Sequence, residues 1–200
     1  MKQLDKNLHK EELWQILKLH GITELQFEYI FKFVECKFLK KGDNFSTEGF
    51  ICKHIAILIE GDLYSHGSNA KGQKRNTKFF HYPYNTMVTS YDSFNTGTAS
   101  IESIRALSDC TLFVLTLRDL NTILEHFPLL LILQSTVLKV GYNDAISALK
   151  DLKELDDTEW LEKLEKDYPW LLLPPFRNLI FGHSTIKRST YNVIRKALGI

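Results

Sequence analysis

The segment Phe38–Tyr64, FLKKGDNFSTEGFICKHIAILIEGDLY, decides the fold of this chain. Short apolar stretches alternate in it with turns that carry glycine, and His54–Glu60 is the longest of these stretches. Another apolar stretch begins at Leu63, directly after a Gly-Asp turn. Short strands divided by glycine-bearing turns at such intervals are typical of a β-roll or a β-barrel. We therefore predict an antiparallel roll of the jelly-roll type in this part of the chain.

Strand patterns continue on both sides of this segment, and helical patterns flank them. The predicted strands are Cys36–Leu39, Ile55–Glu60, Leu63–Ser68, Thr77–Tyr82, Ser100–Ala106 and Thr111–Thr116. Apolar residues at helical spacing predict helices over Glu11–His20 and Thr23–Val34, and a further short helix from Arg118. The predicted fold class is therefore α+β, with an N-terminal roll and flanking helices over residues 1–127.

A long helix is predicted after the roll. Pro128 suits the first turn of a helix, and Leu129–Leu152 is strongly apolar at helical spacing. At 1.5 Å per residue this helix is about 36 Å long. It is apolar on more sides than a surface helix needs, so we expect a homodimer through residues 128–152. The alternative is a helix that is fully buried within one monomer.

The last part of the chain, residues 153–200, has the pattern of a small helical domain. The charged stretch Lys153–Asp157 is the predicted hinge, and helical spacing resumes over Glu159–Tyr168. Two short helices then fit Phe176–Phe181 and Lys187–Leu198, joined by the sequence GHSTI. Two short helices with a glycine-bearing connection predict a helix-turn-helix domain. A small three-helix cap has the same pattern.

Charge is distributed unevenly along the chain. The 200 residues carry a net charge of +1, yet Tyr168–Ile200 contains five basic residues and no acidic one. The remainder therefore carries −4, since +1 minus +5 is −4. Such a split indicates either nucleic-acid binding or a solvated helical face.

Several classes of protein are excluded by what the sequence lacks. It has no nucleophile-elbow, phosphate-loop, dinucleotide-binding or HExxH motif, so we expect no enzyme and no catalytic residue. Its histidines and three cysteines are dispersed, which predicts no metal site, no cofactor and no disulfide. The sequence has neither a signal-peptide core nor an apolar run that would cross a bilayer. We therefore expect a cytoplasmic protein without a membrane partner.

The order of these parts resembles the Crp/Fnr family of transcription regulators, and most of all its Bacteroidetes-type branch. The stretches that carry the resemblance are Lys40–Asp43, Glu48–Gly49, His54–Leu63, Ser93–Gly97 and Ile104–Cys110. The resemblance implies a β-roll of the cyclic-nucleotide-binding type, a dimerisation helix and a C-terminal winged helix-turn-helix. It also implies DNA as a partner and a small-molecule effector in the roll.

The sequence departs from the family in the stretch that would hold the ligand. Members that bind cyclic nucleotides carry a Gly-Glu pair on a short helix, followed by an arginine that neutralises the cyclic phosphate. The corresponding stretch here, Tyr91–Ile101, has no Gly-Glu pair, and Ile101 replaces the arginine. We therefore expect no cAMP binding, and the roll either binds another small molecule or binds none. The expected lining of such a pocket is Tyr91, Ser93, Gly97, Ser100 and Ile101.

The predicted DNA-contacting helix departs from the family as well. Phe181 and Thr185 replace a small residue and the turn glycine, while Ser189 and Val193 replace an acidic residue and an arginine. The predicted DNA-binding residues are Lys187, Arg188, Ser189, Thr190, Asn192, Arg195 and Lys196. The sequence thus predicts a Crp/Fnr-like DNA-binding regulator that does not depend on cAMP. The alternative is a small-molecule-binding or protein-interaction module of the same fold, with a helix-turn-helix that no longer binds DNA.

Overall fold

The protein consists of two compact units. The structure, a computed structural model, describes residues 2–68, 74–83, 86–131, 135, 142, 146, 150, 154–167, 169–172, 176, 179–180 and 188–198. Contacts divide the chain into Met1–Leu131, here called the roll unit, and Ile132–Ile200, the C-terminal unit. The division into 1–127, 128–152 and 153–200 that the sequence favours stays a prediction.

Two antiparallel sheets make up the described part of the roll unit. The strands are β1 Lys2–Leu4, β2 Glu35–Leu39, β3 Asn44–Ser46, β4 His54–Glu60, β5 Asp62–Ser68, β6 Lys74–His81, β7 Met87–Val88, β8 Glu102–Ala106 and β9 Cys110–Thr116. One sheet has the order β1-β2-β9-β4-β7 and the other the order β3-β8-β5-β6. The predicted α+β fold with antiparallel sheets is confirmed for this unit.

The two sheets do not close into a barrel. Of the two architectures that the strand pattern allowed, a β-roll and a β-barrel, the barrel is therefore wrong. Among the described strands, no ladder of hydrogen bonds joins one sheet to the other. The chain instead passes from the first sheet to the second between β4 and β5, at Gly61. Gly61 has φ +94°, and a Cβ there would overlap the carbonyl oxygen of Asp109. The corner between the sheets therefore requires glycine.

The hydrophobic core lies between the sheets. It combines residues from eight strands with Cys52, and its members are Leu39, Phe45, Cys52, Ala56, Leu58, Leu63, Phe80, Val88, Ile104, Ala106, Cys110, Leu112 and Val114. Leu58, Leu63 and Leu112 have no solvent-exposed surface. Burial of these side chains from both sheets is the main contribution that holds the sheets together.

Four α-helices accompany the sheets in the described part of the roll unit. They are α1 Lys10–Leu19, α2 Glu24–Phe31, α3 Tyr91–Thr96 and α4 Leu117–His126. Helix α2 begins with a capping box, in which Thr23 and Gln26 each bind the other's backbone N–H. Thr116 caps α4 by accepting from the N–H of Asp119 at 3.1 Å. The helices predicted before and after the strands are thus confirmed.

The N-terminal segment is fastened to the roll unit. Strand β1 pairs with β2 at the outer edge of the five-stranded sheet. Lys6 then donates from Nζ to the carbonyl oxygens of Phe31 at 2.6 Å and Val34 at 3.2 Å. The ammonium group thereby satisfies carbonyls that the end of α2 leaves without a helical partner.

Two helices of the C-terminal unit, Asp157–Asp167 and Arg188–Leu198, pack against each other. Pro169–Leu172 forms a 3₁₀ turn between them in the chain. The buried side chains of this unit include Leu161, Trp170, Phe176, Ile180 and Tyr191. The predicted helices 159–168 and 187–198 match these two helices closely. The connection predicted to be the turn of a helix-turn-helix, GHSTI, lies outside the described residues.

Most of the predicted long helix also lies outside the described residues. Pro128–Leu130 forms a 3₁₀ turn, and the described residues Leu131, Ser135, Tyr142, Ile146 and Lys150 are helical and exposed. Tyr142 is 67% exposed and Ile146 is 47% exposed. Two large apolar side chains four residues apart are therefore accessible on one side of a helix.

Candidate functional site

Helix α3 and the loop after it occupy the place of the predicted ligand pocket. The helix spans Tyr91–Thr96 and buries Ser93 and Phe94. It ends at Gly97, which has φ +70° and donates its N–H to the carbonyl oxygen of Ser93 at 3.0 Å. The sequence of this stretch lacks a Gly-Glu pair, and its helix was not predicted.

The loop that connects β3 to β4 runs along the segment after α3. Gly49 donates its N–H to the Ser100 carbonyl oxygen at 2.8 Å, and Ser100 returns a bond to the Phe50 carbonyl oxygen at 2.9 Å. A bridge between Ile51 and Ala99 extends this pairing. The segment after α3 is therefore fixed by backbone contacts with a distant part of the chain.

The serine hydroxyls of this region are engaged within the protein. Ser93 Oγ accepts from the N–H of Cys52 at 2.8 Å and donates to the carbonyl oxygen of Thr98 at 2.6 Å. Ser100 Oγ lies 2.8 Å from Ser90 Oγ and 2.7 Å from the carbonyl oxygen of Glu102. Ser93 and Ser100 are buried, at 1% and 3% exposure. Their hydroxyls hold the loop in place.

A lysine and a glutamate lie beside Tyr91. Lys78 Nζ is 5.2 Å from the centroid of the Tyr91 ring and 3.9 Å from Glu102 Oε1. The charge of Lys78 is thus offset by a carboxylate that is itself buried, at 9% exposure. Burial raises the pKa of Tyr91 to about 12, so its hydroxyl is neutral at physiological pH.

The remaining residues of the predicted pocket face solvent. Gly97 is exposed, and Ile101 is 77% exposed. Arg105, four residues beyond Ile101, donates from Nε to the Gly42 carbonyl oxygen at 2.8 Å. The structure therefore gathers Tyr91, Ser93 and Ser100 around α3 and leaves Gly97 and Ile101 on the surface. The five residues as one ligand-binding set stay a prediction.

A cavity that was not predicted from the sequence lies next to this region. Its volume is about 350 Å³, and its lining comes from β3, the loop that follows it and the first residue of β4. The lining residues are Phe45, Ser46, Thr47, Phe50, Ile51, Cys52, Lys53 and His54. Ser46 Oγ is buried and has no hydrogen-bond partner among the described residues. The apolar Phe-Ile pair within an otherwise polar turn was the sequence signal for this cavity.

The helix Arg188–Leu198 has two distinct sides. Tyr191 is buried at 2% exposure, and Thr190 and Ile194 are half-buried. The opposite side consists of exposed residues, which are Arg188, Ser189, Asn192, Val193 and Lys196. Four of the predicted DNA-binding residues thus share this exposed side, and Thr190 is at its margin. Lys187 and the side chain of Arg195 lie outside the described residues.

The described residues carry neither of two further features that bear on function. They contain no group of three or more His, Cys, Asp or Glu residues that would hold a metal ion. Within the same residues, none of the helices combines the length and the apolar character that crossing a membrane requires.

The roll unit has the fold of cyclic-nucleotide-binding domains: two open antiparallel sheets, a short helix between β7 and β8, and a helix after β9. The c-di-GMP responsive global regulator CLP of Xanthomonas campestris matches with a TM-score of 0.66 and 14% identity, over 88% of this chain and 92% of that chain. The Thermus thermophilus catabolite activator protein matches with a TM-score of 0.58 and 16% identity, over 90% and 85%.

A protein that is not a transcription regulator by name shares the fold as well. The regulatory subunit of a cAMP-independent protein kinase A from Trypanosoma brucei has a TM-score of 0.56 and 18% identity, over 70% of this chain and 50% of that chain. At such low identities the likeness shows the fold alone. No protein-family model matches the sequence, and no curated protein sequence matches it.

Proposed function

We propose that this chain is a homodimeric, DNA-binding transcription regulator of the Crp/Fnr type that does not respond to cAMP. The observation that carries the proposal is the extent of the structural likeness. The two bacterial regulators are covered over 92% and 85% of their lengths, which is more than a roll unit alone would cover. The proposal places the protein in the cytoplasm, where it would meet DNA. Membership of the Bacteroidetes-type branch is also part of this proposal.

The C-terminal unit supports the DNA-binding part of the proposal. Its helix Arg188–Leu198 buries one side and exposes Arg188 and Lys196 on the other. The segment Tyr168–Ile200 contains no acidic residue that would repel phosphate. A helix of this kind suits the major groove of duplex DNA, with the lysine and arginine side chains near the phosphates. A winged helix-turn-helix is the expected architecture around it.

Exposed apolar residues support the homodimer. Tyr142 and Ile146 are helical, accessible in one protomer and within the predicted dimerisation helix 128–152. Pairing of this helix with its copy would bury both side chains. Dimerisation also fits a DNA-binding regulator, because two recognition helices then meet two half-sites one helical turn apart.

The contacts around α3 support independence from cAMP. The hydroxyls of Ser93 and Ser100 are bound to protein atoms, and Lys78 is paired with Glu102. Ile101, where the family resemblance implies an arginine, carries no charge. A buried cyclic phosphate without a counter-charge would lose several kcal/mol of binding free energy.

A second function, a small-molecule-binding or protein-interaction module, is favoured by two observations. The Trypanosoma kinase subunit shows that this fold is not confined to transcription regulators. The exposed side of the helix Arg188–Leu198 also carries Val193, an apolar residue that is 69% exposed.

A gel-shift series with the full chain separates the two functions. The probes are fragments of the gene's own promoter and a random duplex pool, at about 50 mM and 200 mM salt. We expect a dimer of the chain to retard the DNA probes, and we expect this binding to weaken steeply as the salt concentration rises. The absence of any retardation at the lower salt concentration would favour the interaction module.

A further inference from the structure

We infer that Asn192 and Val193 make the exposed side of the helix Arg188–Leu198 a reader of A·T base pairs, with Val193 contacting the methyl group of thymine. This inference rests on the proposed DNA-binding function and concerns its specificity. Val193 is not among the residues that the sequence analysis assigned to DNA.

Val193 lies on the exposed side of the helix Arg188–Leu198. Its side chain is 69% exposed, while its neighbours along the same line of the helix, Ser189 four residues before and Lys196 three residues after, are polar and exposed. A single exposed valine is common on protein surfaces. This one, however, lies on the exposed side of a helix, midway along its length, within a segment that has five basic and no acidic residues.

The charge and shape of this helix side suit duplex DNA. A segment with this charge attracts a polyanion, and the major groove of duplex DNA accommodates an α-helix. The major-groove edges of the base pairs present hydrogen-bond donors and acceptors, together with one apolar group, the C5-methyl group of thymine. Val193 has no donor or acceptor in its side chain, so thymine is the base edge that it matches.

Val193 and Asn192 together would distinguish A·T from G·C base pairs. Against guanine or cytosine, Val193 would cover polar base edges without satisfying them, which disfavours those bases. Asn192 is exposed beside Val193, and an asparagine amide pairs in a bidentate manner with N7 and N6 of adenine. Adjacent positions for adenine and thymine define a preference for A·T pairs within each half-site.

The test begins with selection of binding sites from random duplex DNA by the full-length chain. We expect an A·T pair at one fixed position of each half-site. Replacing that thymine by uracil removes only the methyl group, and we expect the wild-type affinity to fall about fourfold, the equivalent of about 0.8 kcal/mol for one methyl-sized apolar group. The Val193→Ala variant should bind the thymine site about fourfold more weakly and show no further loss with uracil.

Two further variants complete the experiment. Val193→Thr keeps one methyl group and should retain part of the sensitivity to uracil, whereas Asn192→Ala should lose at least about fivefold of the preference for adenine. Leu19→Ala, a change at an 86% exposed leucine of the roll unit, should leave all affinities unchanged. Equal uracil effects on the wild type and Val193→Ala, or selected sites without the A·T pair, would overturn the inference. In that case retained DNA binding would still support the proposed function, whereas loss of all DNA binding would overturn both.

Discussion

Ser100 Oγ lies 2.8 Å from Ser90 Oγ, and this contact joins the residue before helix α3 to the loop that follows the helix. Both side chains are buried, at 3% exposure each. Each hydroxyl thus has a partner inside the protein, and leaving a buried hydroxyl without a partner costs about 1–3 kcal/mol. The loop is therefore complete without a ligand.

Cyclic nucleotides should consequently bind weakly or not at all. Titration calorimetry with cAMP and with cGMP should give dissociation constants above about 100 μM, which corresponds to a binding free energy weaker than roughly −5.5 kcal/mol. Tighter binding of either nucleotide would contradict our view that the region of Ile101, Ser90 and Ser100 cannot hold a cyclic phosphate.

Dimerisation should depend on the exposed apolar residues of the predicted long helix. The double change Tyr142→Glu and Ile146→Glu places two charges on each copy and should convert a dimer into a folded monomer, because both residues are exposed in one protomer. Light scattering and circular dichroism measure mass and folding. Leu19→Glu is the matched control at an exposed leucine in the roll unit, and it should remain dimeric. A wild-type monomer at micromolar concentration would refute the proposed interface.

Arg188 and Lys196 should affect DNA binding in different ways. Arg188→Ala should weaken the preferred site by about 1–3 kcal/mol and relax sequence choice, if the guanidinium reads a base edge. Lys196→Ala should weaken all duplexes alike and lower the slope of affinity against salt by about one, as expected of a phosphate contact. Fluorescence anisotropy at several salt concentrations measures both effects. Lys166→Ala, at an exposed lysine of the other described helix, should change neither.

Gly61→Ala should destabilise the roll unit much more than Gly97→Ala. Both glycines have positive φ, which costs a residue with a Cβ about 1–2 kcal/mol. At Gly97 the added methyl group meets open space, whereas at Gly61 it overlaps the Asp109 carbonyl oxygen and lies 2.8 Å from Cys110 Sγ. We expect the free energy of unfolding to fall by at least about 3 kcal/mol for Gly61→Ala. Equal urea midpoints for the two variants would refute the tight sheet corner.

The burial of Tyr91 should appear as a loss of stability at high pH. Its pKa is raised to about 12 in the folded protein from 10.0, so the folded state holds the proton more tightly. This contribution to stability is present below pH 10 and disappears as the pH rises towards 12. Between these values the wild type should lose roughly 1–3 kcal/mol more than Tyr91→Phe. Urea unfolding at pH 9 and pH 11.5 tests this, and identical pH dependence of the two proteins would contradict it.

The sequence predicted those elements whose signal lies within the element itself. Strands β4 and β9 are long apolar stretches, and α4 has regular helical spacing, so each was expected near its observed bounds. Strand β1 was not predicted, because Lys2–Leu4 is short and polar and becomes a strand only through its pairing with β2. The two-residue strand β7 likewise depends on β4.

The candidate pocket was harder to predict for the same physical reason. The residues around α3 were identified, yet their environment depends on partners that are distant in the sequence. Ser93 binds the N–H of Cys52, 41 residues away, which turns an expected ligand group into a structural one. Ile101 was expected in the lining and is exposed, because it precedes the strand β8. No periodicity of the sequence reveals such pairings.

The N-terminal strand affects how readily copies of this protein can pair with one another through a sheet edge. Strand β1 covers the edge of β2 that would otherwise present a row of unpaired N–H and C=O groups. Such an edge is a template on which a strand from another chain can add. The outermost strand is thus the three-residue β1, held through Lys6, and such a short edge offers an incoming strand fewer groups to pair with than the five-residue β2 would. Loss of this segment by proteolysis would leave the core intact and make the protein prone to form intermolecular sheets.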